Sequence, residues 1–134
     1  MHKVWIADDD EAIRLILEES LTSSGFQTKS YSSGEDLLKD LNSNQPDLII
    51  TDVQMPGMLG YDLLKHINNN YEDIPVIIMT AFADMQAAVD SFGGGAFEYL
   101  PKPFDLEDAT EIINRALEEK PKTKGLKTDT KLDI

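Results

Sequence analysis

Five side chains stand at or directly behind short apolar runs, and together they could do phosphoryl chemistry. Asp8 and Asp9 follow Lys3–Ala7 (K-V-W-I-A), and Asp52 follows Leu48–Thr51 (L-I-I-T). Thr80 closes the run that begins at Pro75 (P-V-I-I-M-T), and Lys102 lies just past Phe97–Leu100 (F-E-Y-L). A charged carboxylate so near a dry core is costly unless something pairs with it. Three carboxylates packed together repel, so one holds a proton unless a cation joins them. Oxygen-only ligands on a preformed rim suit Mg2+, which keeps several of its waters. A carboxylate beside Mg2+, a hydroxyl and an ammonium is what acyl-phosphate chemistry needs. Asp52 is then the nucleophile, Mg2+ and Lys102 screen the incoming phosphoryl oxygens, and Thr80 donates to one of them. Taken singly, each group also has a plainer reading. Asp8-Asp9-Asp10-Glu11 would serve as a solvated acidic helix start, and Asp52 as a helix cap or turn carboxylate.

The elements that must bring these groups together follow from the apolar pattern. Strands are expected at Lys3–Ala7, Gln27–Tyr31, Leu48–Thr51, Pro75–Thr80 and Phe97–Leu100, most of them nearly continuous apolar runs bounded by turn residues. Five helices fall between and after them. The first starts at the acidic run and ends at Gly25, with Ile13, Leu15, Ile16, Leu17 and Leu21 as its apolar stripe. The second follows Ser32-Ser33-Gly34 and carries Leu37, Leu38 and Leu41. The third spans Tyr61–Ile67 and ends at Asn68-Asn69-Asn70. A fourth, Asp84–Phe92, is stopped by Gly93-Gly94-Gly95. The last is capped by Asp105 or Asp108 and turns Ala109, Ile112, Ile113, Ala116 and Leu117 inward. Such alternation means an α/β fold, a doubly wound parallel five-stranded sheet covered on both faces. The strand order 2-1-3-4-5 is the common small solution. It sets strands 1 and 3 side by side, so that Asp8, Asp9 and Asp52 meet at their carboxyl ends, where ligand sites of such sheets gather.

Composition narrows the function classes. With 134 residues the chain is one domain, expected over residues 1–120, with 121–134 as a disordered linker or a cloning remnant. The absence of cysteine excludes disulfides and thiolate chemistry. No run approaches the ~20 apolar residues of a membrane span, and Met1-His2-Lys3-Val4 lacks the form of a signal peptide, so a cytoplasmic, soluble domain is expected. The net charge of −13 argues against direct nucleic-acid binding and suits cationic partners.

In combination the motifs are specific. They comprise the acid pair Asp8-Asp9, D-x-x-M-P-G at Asp52–Gly57, Thr80-Ala81, and G-A-F-E-Y-L-P-K-P-F from Gly95 to Phe104. From Lys3 to about Lys120 the chain resembles the receiver domain of two-component response regulators. The stretches P-V-I-I-M-T-A and Y-L-P-K-P-F-D look most like receivers of the NtrC type, which precede a sigma-54-activating ATPase and a DNA-binding domain. The resemblance implies a CheY-like fold and a phosphoacceptor, Asp52, that receives phosphate from a sensor histidine kinase. It implies that Asp9 binds Mg2+ directly, that Asp8 does so directly or through water, and that the backbone carbonyl of Gln54 completes the ligands. It pairs Lys102 with the phosphoryl group and makes Thr80 and Tyr99 a switch pair. Tyr99 also reads simply as a partly buried strand residue. Spacing to Asp52 and to Arg14 favours Asp8-Asp9 over Asp10 as the working pair.

By the same resemblance the domain is not an enzyme toward other molecules. It catalyses only its own phosphorylation and slow dephosphorylation, and it controls an output domain, with a phosphorylation-dependent homodimer as a further partner. Three departures stand out: Leu59 where an acid is usual, Gly93-Gly94 before Gly95, and bulky Phe82 two residues after Thr80. A free-standing phosphorelay receiver is the alternative within the class. A haloacid-dehalogenase-type phosphatase would want an acid where Gln54 stands, and a flavodoxin-like FMN domain would want a Ser/Thr/Gly loop where Asp8–Glu11 stand.

Overall fold

Alternate side chains of each strand go to opposite faces, and this divides the core into two layers. Along β1 (Lys3–Ala7), Trp5 and Ala7 join one cluster while Val4 and Ile6 join the other. The same division runs through β3 (Leu48–Asp52) and β4 (Val76–Thr80), whose five residues each are buried throughout. Strands buried on both faces must be covered by helices on both sides, and the near-absence of polar residues along them is the sequence trace of that requirement.

The computed structural model describes residues 1–53, 55, 57–81 and 95–129. Element order is β1, α1 (Glu11–Ser23), β2 (Gln27–Tyr31), α2 (Gly34–Leu41), β3, α3 (Gly60–Asn70), β4, β5 (Glu98–Pro101) and α4 (Leu106–Asp129). The five strands pair in parallel in the order β2-β1-β3-β4-β5, as expected from the alternation of elements. The helix expected over Asp84–Phe92, Phe82 and the glycines Gly93 and Gly94 lie outside the described residues. Among the described residues no helix is long and apolar enough to cross a membrane.

On one face, α2 and α3 bury Leu37, Leu41, Leu63, Leu64 and Ile67 against Trp5, Ile49, Val76 and Ile78. On the other, α1 and α4 bury Leu17, Leu21, Ala109, Ile113 and Ala116 against Ile6, Ile50, Ile77 and Met79. Each large apolar side chain so enclosed contributes roughly 1.5–3 kcal/mol.

The helices correct the sequence pattern in three places. Leu15 and Ile16, counted into the apolar stripe of α1, are 55% and 51% exposed. Helical periodicity explains this: residues 13, 17 and 21 repeat every fourth position on one face, whereas 15 and 16 fall away from it. Second, α3 does not stop at Ile67. It continues through the three asparagines to Asn70, whose Nδ2 donates to the His66 carbonyl at 2.9 Å. Third, α4 carries helical backbone past Pro121 to Asp129, whereas the periodicity of the sequence is lost at Pro121. Of its two candidate caps, Asp105 lies directly before the helix and its carbonyl accepts from the Ala109 amide, while Asp108 lies in the first turn. Gly25, just past α1, takes the left-handed φ of +97° that a residue with Cβ rarely adopts.

Candidate functional site

Strand register places the site. Ala7 pairs with Thr51, Asp52 with Met79, and Thr80 with Pro101. The next residue along each strand or loop therefore brings Asp8, Asp52, Thr80 and Lys102 to one edge of the sheet. Two further bonds hold this edge: the Lys102 amide donates to the Thr80 carbonyl at 2.6 Å, and the Val53 amide to the Met79 carbonyl at 3.0 Å.

One carboxylate oxygen each from Asp8, Asp9 and Asp52 lies within 4.8 Å of the others. Asp8 is fully buried, Asp52 is 8% exposed, and Asp9 is exposed at the mouth. Lys102 Nζ reaches two of the three, at 3.0 Å from Asp8 Oδ2 and 3.3 Å from Asp52 Oδ2. Asp8 Oδ1 accepts from the Asp10 amide at 2.9 Å, and Asp52 Oδ1 from the Val53 amide at 2.8 Å. Asp10 points away from the cluster and caps α1, where its side chain accepts from the Ala12 amide at 2.9 Å.

The electrostatics follow from the packing. Burial pushes the Asp52 carboxyl above the ordinary aspartate value and the Asp8 charge adds to this; Lys102 and the Val53 amide oppose them. Burial would lower the Lys102 ammonium, but its hydrogen bond to Asp8 and the charges of Asp52 and Asp8 outweigh this and hold it above the ordinary lysine value. The cluster is an oxygen-only donor set closed by one ammonium. Its size and hardness fit a divalent cation at the mouth, beside Asp9.

Asp8, Asp9, Asp52 and Lys102 are thus brought together as the sequence implies. Thr80 is buried at the end of β4. Tyr99 stands opposite Ile78 in β5, half-buried against the cluster formed by Trp5, Ile78 and their neighbours. Gln54, whose carbonyl the sequence resemblance assigns to the metal, lies outside the described residues. Two participants are not evident as site residues from the sequence. One is the Val53 amide, which no side-chain pattern reveals. The other is Arg14, whose Nη1 donates to the Asp8 carbonyl at 2.7 Å. Arg14 does leave a signal, since it is the one basic residue between Asp8 and Ser24.

Val53 and Gly60 are held close to one another. The Gly60 amide donates to the Val53 carbonyl at 2.8 Å, and a Cβ at Gly60 would overlap the Asp52 carbonyl oxygen. Leu59, where an acid is usual, stands at the N-cap of α3 and makes no side-chain cap bond.

Residues 4–114 match the response regulator receiver domain family. The chain is similar to the DNA-binding transcriptional regulators NtrC of Proteus hauseri, at 47% identity, and of Escherichia coli K12, at 45%. Each similarity covers 85% of this chain and 24% of the relative, so the chain spans about a quarter of the length of these proteins. Among solved structures, the receiver domain of nitrogen regulatory protein C superposes with a TM-score of 0.79 at 44% identity, covering 87% of this chain and 94% of that one. The response regulator TrrA of Thermotoga maritima, solved in complex with Mg2+-BeF, gives a TM-score of 0.79 at 29% identity, covering 87% and 99%.

Proposed function

The chain belongs to the response regulator receiver domain family, and from this we propose that Asp52 accepts a phosphoryl group from a sensor histidine kinase. The observation that carries the proposal is the Asp8–Asp9–Asp52 cluster bridged by Lys102. Asp52 Oδ1 is tied to the Val53 amide, which leaves Oδ2, on the Lys102 side, to attack phosphorus. An oxygen–phosphorus bond forms on Asp52, and the bond from phosphorus to the donor breaks, the donor leaving with its electron pair. Lys102 faces the new negative charge as an ammonium, and Thr80 lies at the adjacent strand end, where its hydroxyl donates to a phosphoryl oxygen. Mg2+, bound by Asp8, Asp9, Asp52 and the Gln54 carbonyl, would neutralise the charge that gathers among these oxygens. The Mg2+-BeF complex of the Thermotoga maritima relative supports this choice of ion.

Phosphorylation of Asp52 then changes the Thr80–Tyr99 pair and controls an output domain of a longer, cytoplasmic NtrC-like regulator. The receiver proper spans residues 1–120 and the following segment links it onward. Its own chemistry is confined to gaining and losing the phosphoryl group, and a second phosphorylated copy is a further partner.

The test is incubation with acetyl phosphate and Mg2+, followed by mapping. Wild type should gain one acid-stable, hydroxylamine-labile phosphate on Asp52. Asp52→Asn should gain none, and stoichiometric label on that variant would sink the assignment.

A further inference from the structure

Arg14 bonds not to a carboxylate but to the carbonyl of the peptide that joins Asp8 to Asp9. The two acids differ in how they are held. Asp8 is fixed through its own side chain, by the Asp10 amide on Oδ1 and Lys102 on Oδ2. Asp9 is exposed, and among the described residues no hydrogen bond or ion pair holds its carboxylate. The region its carboxylate can reach is therefore set by the backbone that carries it. The peptide unit ahead of it is planar, so fixing the Asp8 carbonyl fixes the plane from which the Asp9 residue departs.

We propose that Arg14 is a positioning residue that, by holding the Asp8–Asp9 peptide, aims the Asp9 carboxylate into the acidic cluster. This rests on reading that cluster as a divalent-cation site. A planar, forked guanidinium suits this role better than an ammonium, because it holds direction as well as charge.

The sign of the effect separates this role from plain electrostatics. Arg14 is a cation bonded to the peptide that joins two of the three clustered acids. If it acted only through its charge, removing it would make the cluster more attractive to Mg2+. If it acts through geometry, removing it weakens binding. Outer groups that orient metal ligands typically account for about ten-fold or more in affinity, and a loss of that order is expected.

The experiment is calorimetric titration of Mg2+ into the wild-type chain, Arg14→Gln and Arg14→Lys, with amide exchange of Asp10 followed in the metal-free proteins. The expected result is weaker Mg2+ binding by Arg14→Gln, incomplete recovery in Arg14→Lys, and faster Asp10 exchange in Arg14→Gln. Equal or tighter binding by Arg14→Gln, or full recovery by lysine, overturns the proposal. A lower melting temperature with unchanged affinity also overturns it, because that is a purely structural role. If Arg14→Gln fails to fold, the affinity of Arg14→Lys decides alone. Failure of the wild type to bind Mg2+ would instead remove the cation-site reading itself, and the inference with it.

Discussion

Lys102 Nζ sits 3.0 Å from Asp8 Oδ2, inside the 3.3 Å that separates it from Asp52 Oδ2. The ammonium is therefore shared, and its shorter contact is with the acid that is fully buried. Removing one partner of a buried pair leaves an uncompensated charge, which typically costs 3–5 kcal/mol. Lys102 remains 17% exposed, so Lys102→Ala should fall near the lower end, a loss of about 3 kcal/mol without metal. The same change removes a cation that competes for the cluster oxygens, so Mg2+ should bind this variant more tightly and narrow its deficit. Urea unfolding with EDTA and with saturating Mg2+ would measure both. A deficit that stays constant would mean that lysine and metal act on separate groups.

The raised Asp52 carboxyl gives a pH dependence of definite sign. Its ordinary value is 3.8, and in the fold it titrates higher. The folded state thus binds this proton more tightly than the unfolded one. The carboxyl has no unfavourable effect at pH values below 3.8, and it lowers stability progressively as pH climbs through the folded value. Lys102 acts at the other end. Raised above 10.5, it contributes stability that is complete below that value and is lost as pH rises through its folded value. Asp52→Asn should therefore gain stability relative to wild type as pH rises from about 3.5 toward neutrality in EDTA. Thermal melts across that range would check it, and a flat or falling difference would show that the pairing with Lys102 outweighs burial.

Much of this geometry is legible in the sequence for one physical reason. Strands covered on both faces carry few polar residues until they emerge, so the acid that follows a run, or the hydroxyl that closes it, marks the sheet edge. Asp8, Asp52 and Thr80 announce themselves in this way, and the parallel order converts sequence positions into neighbours. What the pattern leaves open is whatever depends on helical phase or on backbone bonds. Leu15 and Ile16 are apolar by type yet sit off the face set by Ile13, Leu17 and Leu21. The asparagines after Ile67 have weak helix propensity, yet the helix runs through them to Asn70, whose side chain donates to the His66 carbonyl. Arg14 is visible as a lone cation in an acidic stretch, but its partner is a carbonyl, which composition cannot reveal.

Asp9 should be dispensable for the fold and indispensable for the metal. Its carboxylate is exposed and lies among like charges. Asp9→Ala removes repulsion without breaking any bond seen among the described residues, so the metal-free melting temperature should equal or exceed that of wild type. The stabilisation that Mg2+ gives the wild type, about 2.7 kcal/mol at a hundred-fold excess over Kd, should disappear. Melting curves with and without Mg2+ suffice. A markedly lower metal-free melting temperature would mean that Asp9 is held by a favourable contact.

Leu59 offers a gain of stability. It occupies the N-cap of α3 with extended backbone, φ −77° and ψ 156°, and supplies no side-chain acceptor to the amides of the first turn. A serine hydroxyl in that geometry would accept from an amide two or three positions on, and restoring such a cap is worth typically about 1 kcal/mol. Aspartate would cap as well, but it would add a further negative charge to a chain that already carries −13. The neighbouring Gly60 must stay as it is, because its Cα lies against the Asp52 backbone and leaves no room for a Cβ. Leu59→Ser should therefore raise the urea midpoint without altering its slope, and the extent of labelling by acetyl phosphate should be unchanged. A lower midpoint would show that the half-buried leucine side chain contributes more through packing than the missing cap costs.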